Sequence, residues 1–242
     1  MQSAVGRQIP LLATLGNVVA GSLALVLALD DRPDLAAIAI IAAVLLDSVD
    51  GVLARMFNSC TEFGAELDSL ADMVSFGAAP ALLVVSLHGA EPNPLSRIAA
   101  VCFVLAAAWR LARFNVYRIF SSGHEGFVGL PSTGAGACVA AVVLMQGFMA
   151  DHGFEAGAVL MPWLLLVLSL LMVSALPYPH VVTLITKWPG AFVLAGLLTL
   201  WVAATHGAYE VVFGLLSLCY VASGPVAALG AKVKALREAR SS

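Results

Sequence analysis

Charged side chains are scarce in this chain of 242 residues: Asp, Glu, Lys and Arg make up 11% of it, against about 25% in a soluble domain. With 61% apolar residues and a mean hydropathy of +0.96, that scarcity excludes an ordinary water-soluble fold. Neither sign of charge is in large excess. The net charge is −3, and so small a balance points to no nucleic-acid partner. Cysteine is also sparse. Cys60, Cys102, Cys138 and Cys219 lie far apart with no CxxC or CxH spacing, so they read as small apolar residues rather than a zinc site or a disulfide frame. None of the five histidines, His88, His124, His152, His180 and His206, has a partner at ligand spacing. No Ser–His or Cys–His arrangement suggests a covalent intermediate.

Long apolar runs are what the chain has instead. Crossing the hydrocarbon takes about 20 apolar residues per helix. Runs of that kind cover roughly 10–29, 35–57, 65–88, 96–119, 133–150, 157–176, 189–205 and 208–230. The expected fold is therefore all-α, a polytopic transmembrane bundle of about eight spans, in a single domain over 1–242. The first run is too long for a cleavable signal and has no A-x-A-like site after it, so it reads as a retained helix. Breaks fall at 30–34, 89–94, 121–134 and 177–190, where Pro or Gly joins polar residues. The stretch 180–187 is too short to span and reads as an interfacial segment.

Basic residues set the orientation. A cytoplasmic N-terminus puts Arg7, Arg55, Arg110, Arg113, Arg118, Lys187, Lys232, Lys234, Arg237 and Arg240 inside, and only Arg32 and Arg97 outside, which accounts for all 12. Both termini then face the cytoplasm. The tail 231–242, KVKALREARSS in its main part, is a basic helical end.

Four carboxylates interrupt the apolar pattern. Asp47 and Asp50 stand three apart near the end of the second run; Asp68 and Asp72 stand four apart at the start of the third. Each pair shares one helical face. The short connection makes the two helices antiparallel neighbours, so the four acids converge on one pocket. Acids at or within a membrane are costly unless a counter-charge binds there. Oxygen-only ligands suit Mg²⁺ or Mn²⁺, and four carboxylates suffice for two ions about 4 Å apart. Gly51 lets a phosphate or nucleotide approach the backbone, Ala54 keeps the same face open, and Arg55 offers a forked partner for phosphate. Thr61 supplies a hydroxyl in the turn, and Gly64 thins the entry to the next helix.

The stretch D-S-V-D-G-V-L-A-R, eight further residues, then G-A-E-L-D-S-L-A-D resembles the signature of the CDP-alcohol phosphatidyltransferase family at all eight of its positions. The resemblance implies an integral membrane enzyme that moves a phosphatidyl group from a CDP-lipid to an alcohol and releases CMP. It assigns Asp47, Asp50, Asp68 and Asp72 to Mg²⁺ or Mn²⁺, two ions per site, with Asp72 as general base. It assigns Gly51, Arg55 and Thr61 to the CDP-lipid, and it implies a homodimer. Ala54, Gly64, Thr14 and Asn17 join that CDP-lipid set. Relatives often carry Pro-Asn in the first helix, whereas here Leu11 follows Pro10, so polar contacts from this helix rest on Thr14 and Asn17.

The acceptor is read from residues downstream of the first two acids. LDSLADMVSFGAAPA (67–81), WRLARFNVYR (109–118) and FVGLPSTGAGA (127–137) resemble strings of phosphatidylserine synthases, in the same order. The likeness covers about 9–140, the expected catalytic core; 141–230 adds generic membrane helices. It implies CDP-diacylglycerol and L-serine as substrates, among membrane lipids, in a prokaryotic cytoplasmic membrane with the site facing the cytoplasm. A serine carboxylate needs cations, and Arg110 and Arg113, three apart on one face, are the candidates for it or for lipid phosphate; Arg118 reads as an anchor. Asn115 serves either as a substrate contact or as a helix cap. The loop from Ser121 to Thr133 either covers the acceptor or merely connects, and His124 within it is placed on the cytoplasmic side near the expected acceptor pocket. Rival acceptors are glycerol phosphate, inositol phosphate and choline, and an archaeal-type lipid is a rival donor. Outside the enzyme class the rival is a divalent cation transporter.

Overall fold

The computed structural model describes residues 4–56, 61–88, 93–120, 129–153, 157–176, 178 and 209–241. Every regular element among them is helical. In chain order they are α1 (Ala4–Leu29), α2 (Pro33–Met56), α3 (Glu62–Asp72), a π-helical segment (Met73–Ala78), α4 (Ala79–Ser86), α5 (Pro94–Phe120), α6 (Ser132–Asp151), α7 (Gly157–Val173) and α8 (Tyr209–Ser241). The expected span at 189–205 and the interfacial stretch at 180–187 lie outside the described residues.

Among the described residues, five helical stretches are long and apolar enough to cross a membrane: Leu11–Leu29, Glu62–Ser86, Pro94–Val116, Ser132–Asp151 and Tyr209–Gly230. The helix α2 is 24 residues long, about 36 Å at 1.5 Å per residue, but Asp34, Asp47 and Asp50 interrupt its apolar character. The helix α7 is apolar and shorter, with 17 residues. The outer surface suits lipid: Leu12, Val19, Leu29, Leu70 and Leu170 are each more than 60% exposed. Leucine facing outward costs nothing in hydrocarbon, so the chain has no reason to hide it.

Helix α1 ends where Asp31 adopts a left-handed backbone, φ 54°, with the Arg32 N–H returning to the Leu27 carbonyl at 3.0 Å. Pro33 then opens α2, a position where its missing N–H is no loss. The two helices pack as a hairpin, and small residues, Ala24 and Ala28 of α1 with Ala36 and Ala37 of α2, are buried in the core they share. Small side chains allow that close approach. Helices α5 and α7 pack together, as do α6 and α8, and α6 also lies on α2. Phe76, Phe103, Leu83, Leu165 and Leu168 fill the middle and are fully buried.

The third expected span is not one regular helix. It widens into π geometry immediately after Asp72, a feature that hydropathy does not announce. Two backbones clamp the widened turn. A methyl on Gly21 of α1 would run into the Ser75 side chain and come within 2.8 Å of its Cα. A methyl on Gly136 of α6 would lie 3.2 Å from the Cα of Phe76. The Ser75 hydroxyl donates to the Asn17 carbonyl at 3.0 Å. Such π turns recur at functional sites; here the residue directly before the turn is Asp72, itself still in α-helical geometry.

Candidate active site

The acids of α2 and α3 come together, with both helices packed on α1. Ligand oxygens of Asp47, Asp50 and Asp68 all lie within 4.8 Å of one another, and the Asp72 carboxyl abuts that of Asp47. Asp50 is buried. Its Oδ2, and Oδ1 of Asp72, are shielded from solvent and accept no hydrogen bond. Leaving ionised oxygens in that state is expensive. Crowded oxygen donors of this kind fit a hard divalent cation, and among the described residues no His or Cys joins them to suggest a softer one. Asp47, Asp50, Asp68 and Asp72 are thus the residues that would hold the metal.

Helix α1 supplies the floor. Thr14 is buried and its hydroxyl reaches the Asp50 carboxylate. One turn along, Asn17 is fully buried, and both polar atoms of its amide are without a hydrogen-bond partner. A fully buried amide with no hydrogen-bond partner among the described residues is unusual in a folded chain. Gly51 directly follows Asp50 on α2. The side chains of Ala54, Arg55 and Arg118 lie outside the described residues, as does His124.

Thr61 starts α3 as its N-cap, its hydroxyl accepting from the Gly64 N–H at 3.0 Å. That bond satisfies one of the open donors of the first turn, so Thr61 and Gly64 fix where the helix carrying Asp68 and Asp72 begins.

A second side of the pocket comes from α5 and α6. Arg110 is buried and donates to the Ser132 hydroxyl, and it senses the charges of Asp72 and Asp47. Thr133 donates from Oγ1 to Oδ2 of Asp47 at 3.5 Å. Arg113, one turn beyond Arg110, donates to the Val173 carbonyl at 3.3 Å, where a cation meets the negative end of α7. The Gly129 and Leu130 N–H groups dock on the same end, donating to the carbonyls of Leu176 at 2.9 Å and Leu171 at 3.1 Å. Asn115 bonds Ser69, between Asp68 and Asp72, at 3.0 Å.

Sequence spacing does not single out Ser132 and Thr133, although GLPSTG contains them. Tyr220 gives no signal either, being one tyrosine in an apolar run. Tyr220 lies within electrostatic reach of Arg110, and its ring stands 6.0 Å from that of Tyr178. Burial, then the neighbouring Tyr220, push the Tyr178 phenol up to about 12. It therefore stays protonated at neutral pH and donates to the Val221 carbonyl at 3.0 Å.

The CDP-alcohol phosphatidyltransferase family model matches residues 7–173. A CDP-diacylglycerol–serine O-phosphatidyltransferase of Helicobacter pylori (strain J99) is 33% identical over 172 residues, covering 71% of this chain and 71% of the relative. The protein of that name from Mycobacterium tuberculosis (strain H37Rv) is 29% identical over 234 residues, covering 90% and 81%. An archaetidylserine synthase of Methanothermobacter thermautotrophicus is 33% identical over 175 residues, covering 72% and 70%.

Proposed function

The chain belongs to the CDP-alcohol phosphatidyltransferase family, and from that premise we propose that it transfers the phosphatidyl group of CDP-diacylglycerol to the hydroxyl of L-serine, giving phosphatidylserine and CMP. The observation that carries the chemistry is the convergence of four carboxylates, with oxygens of Asp50 and Asp72 buried and accepting no hydrogen bond among the described residues. The names of the relatives from bacteria support serine as acceptor.

Mg²⁺ or Mn²⁺, held by Asp47, Asp50, Asp68 and Asp72, would supply charge neutralisation for the diphosphate and for the departing CMP. The remaining roles belong to the chain. Thr14 and Asn17 of α1, with Gly51, Ala54, Arg55, Thr61 and Gly64, seat the CDP-lipid. Asp72 takes the proton of the serine hydroxyl. The serine oxygen then bonds to the phosphorus bearing diacylglycerol, and the bond from that phosphorus to the bridging oxygen breaks, so that the electron pair leaves with CMP. Arg110 answers the serine carboxylate, and the amino end of α6 beside it adds partial positive charge. Arg113 and Asn115 hold the surrounding helices where these groups need them. The basic residues flanking the site support a cytoplasmic orientation, and the family resemblance supports a homodimer.

Purified protein supplied with CDP-diacylglycerol and a panel of alcohols tests this reading. CMP should appear with serine well ahead of glycerol phosphate, inositol phosphate or choline, and only with a divalent metal. An archaeal-type CDP-lipid belongs in the panel, since one relative is named for archaetidylserine. A transporter would release no CMP with any acceptor. Exchange of labelled CMP into the CDP-lipid without serine would replace the single displacement by a covalent route.

A further inference from the structure

Three consecutive residues at the start of α6 face three different helices. Ser132 accepts from Arg110 of α5, and Thr133 donates to Asp47 of α2. At Gly134 an added methyl would lie 2.9 Å from Cε1 of Tyr220 on α8. One helical turn therefore gathers a buried cation, a carboxylate of the acid cluster and a phenol. The groups within electrostatic reach of Arg110 are Asp72, Tyr220, Arg113 and Asp47.

Tyr220 is the member of this group with no part in the transfer chemistry. It lies on α8, beyond the residues 7–173 that the family model matches. Its place is nevertheless fixed. Next to it, the Val221 carbonyl accepts from the buried Tyr178 hydroxyl at 3.0 Å. The Tyr178 ring fills the space over Gly224, where a methyl would come within 2.7 Å of three ring carbons. The absence of a side chain at Gly134 brings the Tyr220 ring against the first turn of α6.

We propose that Tyr220 is a specificity-determining residue for the acceptor, its hydroxyl donating to the carboxylate that Arg110 binds. The assignment rests on serine transfer as the reaction of this site. A guanidinium carries five N–H donors in a fork whose geometry matches a carboxylate. A phenol within electrostatic reach of it would donate to the other oxygen, and a hydrogen bond to a charged partner is among the stronger ones. Acceptors without a carboxylate would leave both groups unanswered, and a site built this way rejects them.

Tyr220→Phe keeps the ring against Gly134 and removes only the hydroxyl. Its KM for L-serine should rise about tenfold or more, while its KM for CDP-diacylglycerol stays at the wild-type value. The preference for serine over serinol, which lacks the carboxylate, should shrink by the same factor. Calorimetric titration of serine into the purified protein should weaken in parallel, a readout independent of turnover. An unchanged KM for serine, or an equal loss with serine and serinol, would overturn the assignment. A wild type that fails to release CMP with serine sinks the underlying reading and this one together. An active wild type with an unaltered Y220F sinks the Tyr220 role alone.

Discussion

Asn115 donates from Nδ2 to the Ser69 hydroxyl at 3.0 Å, across 46 positions of chain. Ser69 in turn donates to the Ala65 carbonyl one turn back, at 3.1 Å. The contact ties α5 to the one turn of α3 that carries Asp68 on one side of Ser69 and Asp72 on the other. It is a brace on two proposed metal ligands.

Asn115→Ala should therefore act through the metal site. The lost bond costs about 1 kcal/mol of stability, too little to unfold the protein. The divalent-metal concentration for half-maximal CMP release should rise several-fold, and saturating metal should recover most of the rate. An unchanged metal midpoint would make the Asn115–Ser69 pair a packing contact only.

Asp72→Asn should separate binding from turnover. The amide keeps the shape of the side chain but cannot take the serine proton. Turnover should fall by about 10²–10⁴, the usual contribution of a positioned base, while binding of the CDP-lipid persists. Asp47→Asn and Asp50→Asn should instead weaken metal binding first. Direct binding of a CDP-lipid, measured beside CMP release, distinguishes the two patterns. If D72N loses lipid binding and rate in the same proportion, Asp72 is a ligand and not the base.

The all-helical character, though not the expected eight spans, and the convergence of the four acids were legible in the sequence for physical reasons. A membrane demands runs of about 20 apolar residues, and carboxylates three and four apart on adjacent helices must share a face. Other parts depend on packing that spacing cannot express. The π turn after Asp72 follows from the close approach of Gly21 and Gly136 to Ser75 and Phe76, contacts between residues 54 and 60 positions apart. Arg110 and Arg113 look equivalent on a helical wheel. In the fold one is buried beside Ser132, and the other reaches the carbonyl end of α7. Tyr220 could not be found from spacing at all, because its partners lie on α5 and α6.

Metal should stabilise the fold as well as the reaction. Four carboxylates crowded together repel one another when no cation is bound. A ligand that binds only the folded state adds about 2.7 kcal/mol at a hundred times its Kd. Chelation should thus lower Tm by several degrees with no substrate present, and Mg²⁺ or Mn²⁺ should restore it. The same titration on Asp47→Asn should show a smaller shift. A Tm indifferent to metal in the wild type would argue that the four acids do not form a cation site.

The clamp on the π turn gives the sharpest test of the backbone geometry. At Gly21 a methyl meets the Ser75 side chain and its Cα, and neither helix can withdraw without disturbing the Ser75–Asn17 bond. Gly21→Ala should destabilise by about 1–3 kcal/mol, the range for overpacking a tight contact, and should cut turnover because Asp72 sits at the start of the widened segment. Gly230 on α8 is the control. A methyl there meets nothing within 4 Å, and alanine favours helix over glycine by about 1 kcal/mol. Gly230→Ala should accordingly leave Tm unchanged or raise it slightly, with normal turnover. Should G21A tolerate heat as well as G230A does, α1 and the π segment are not in contact as described, and the aim of Asp72 must be set by something else.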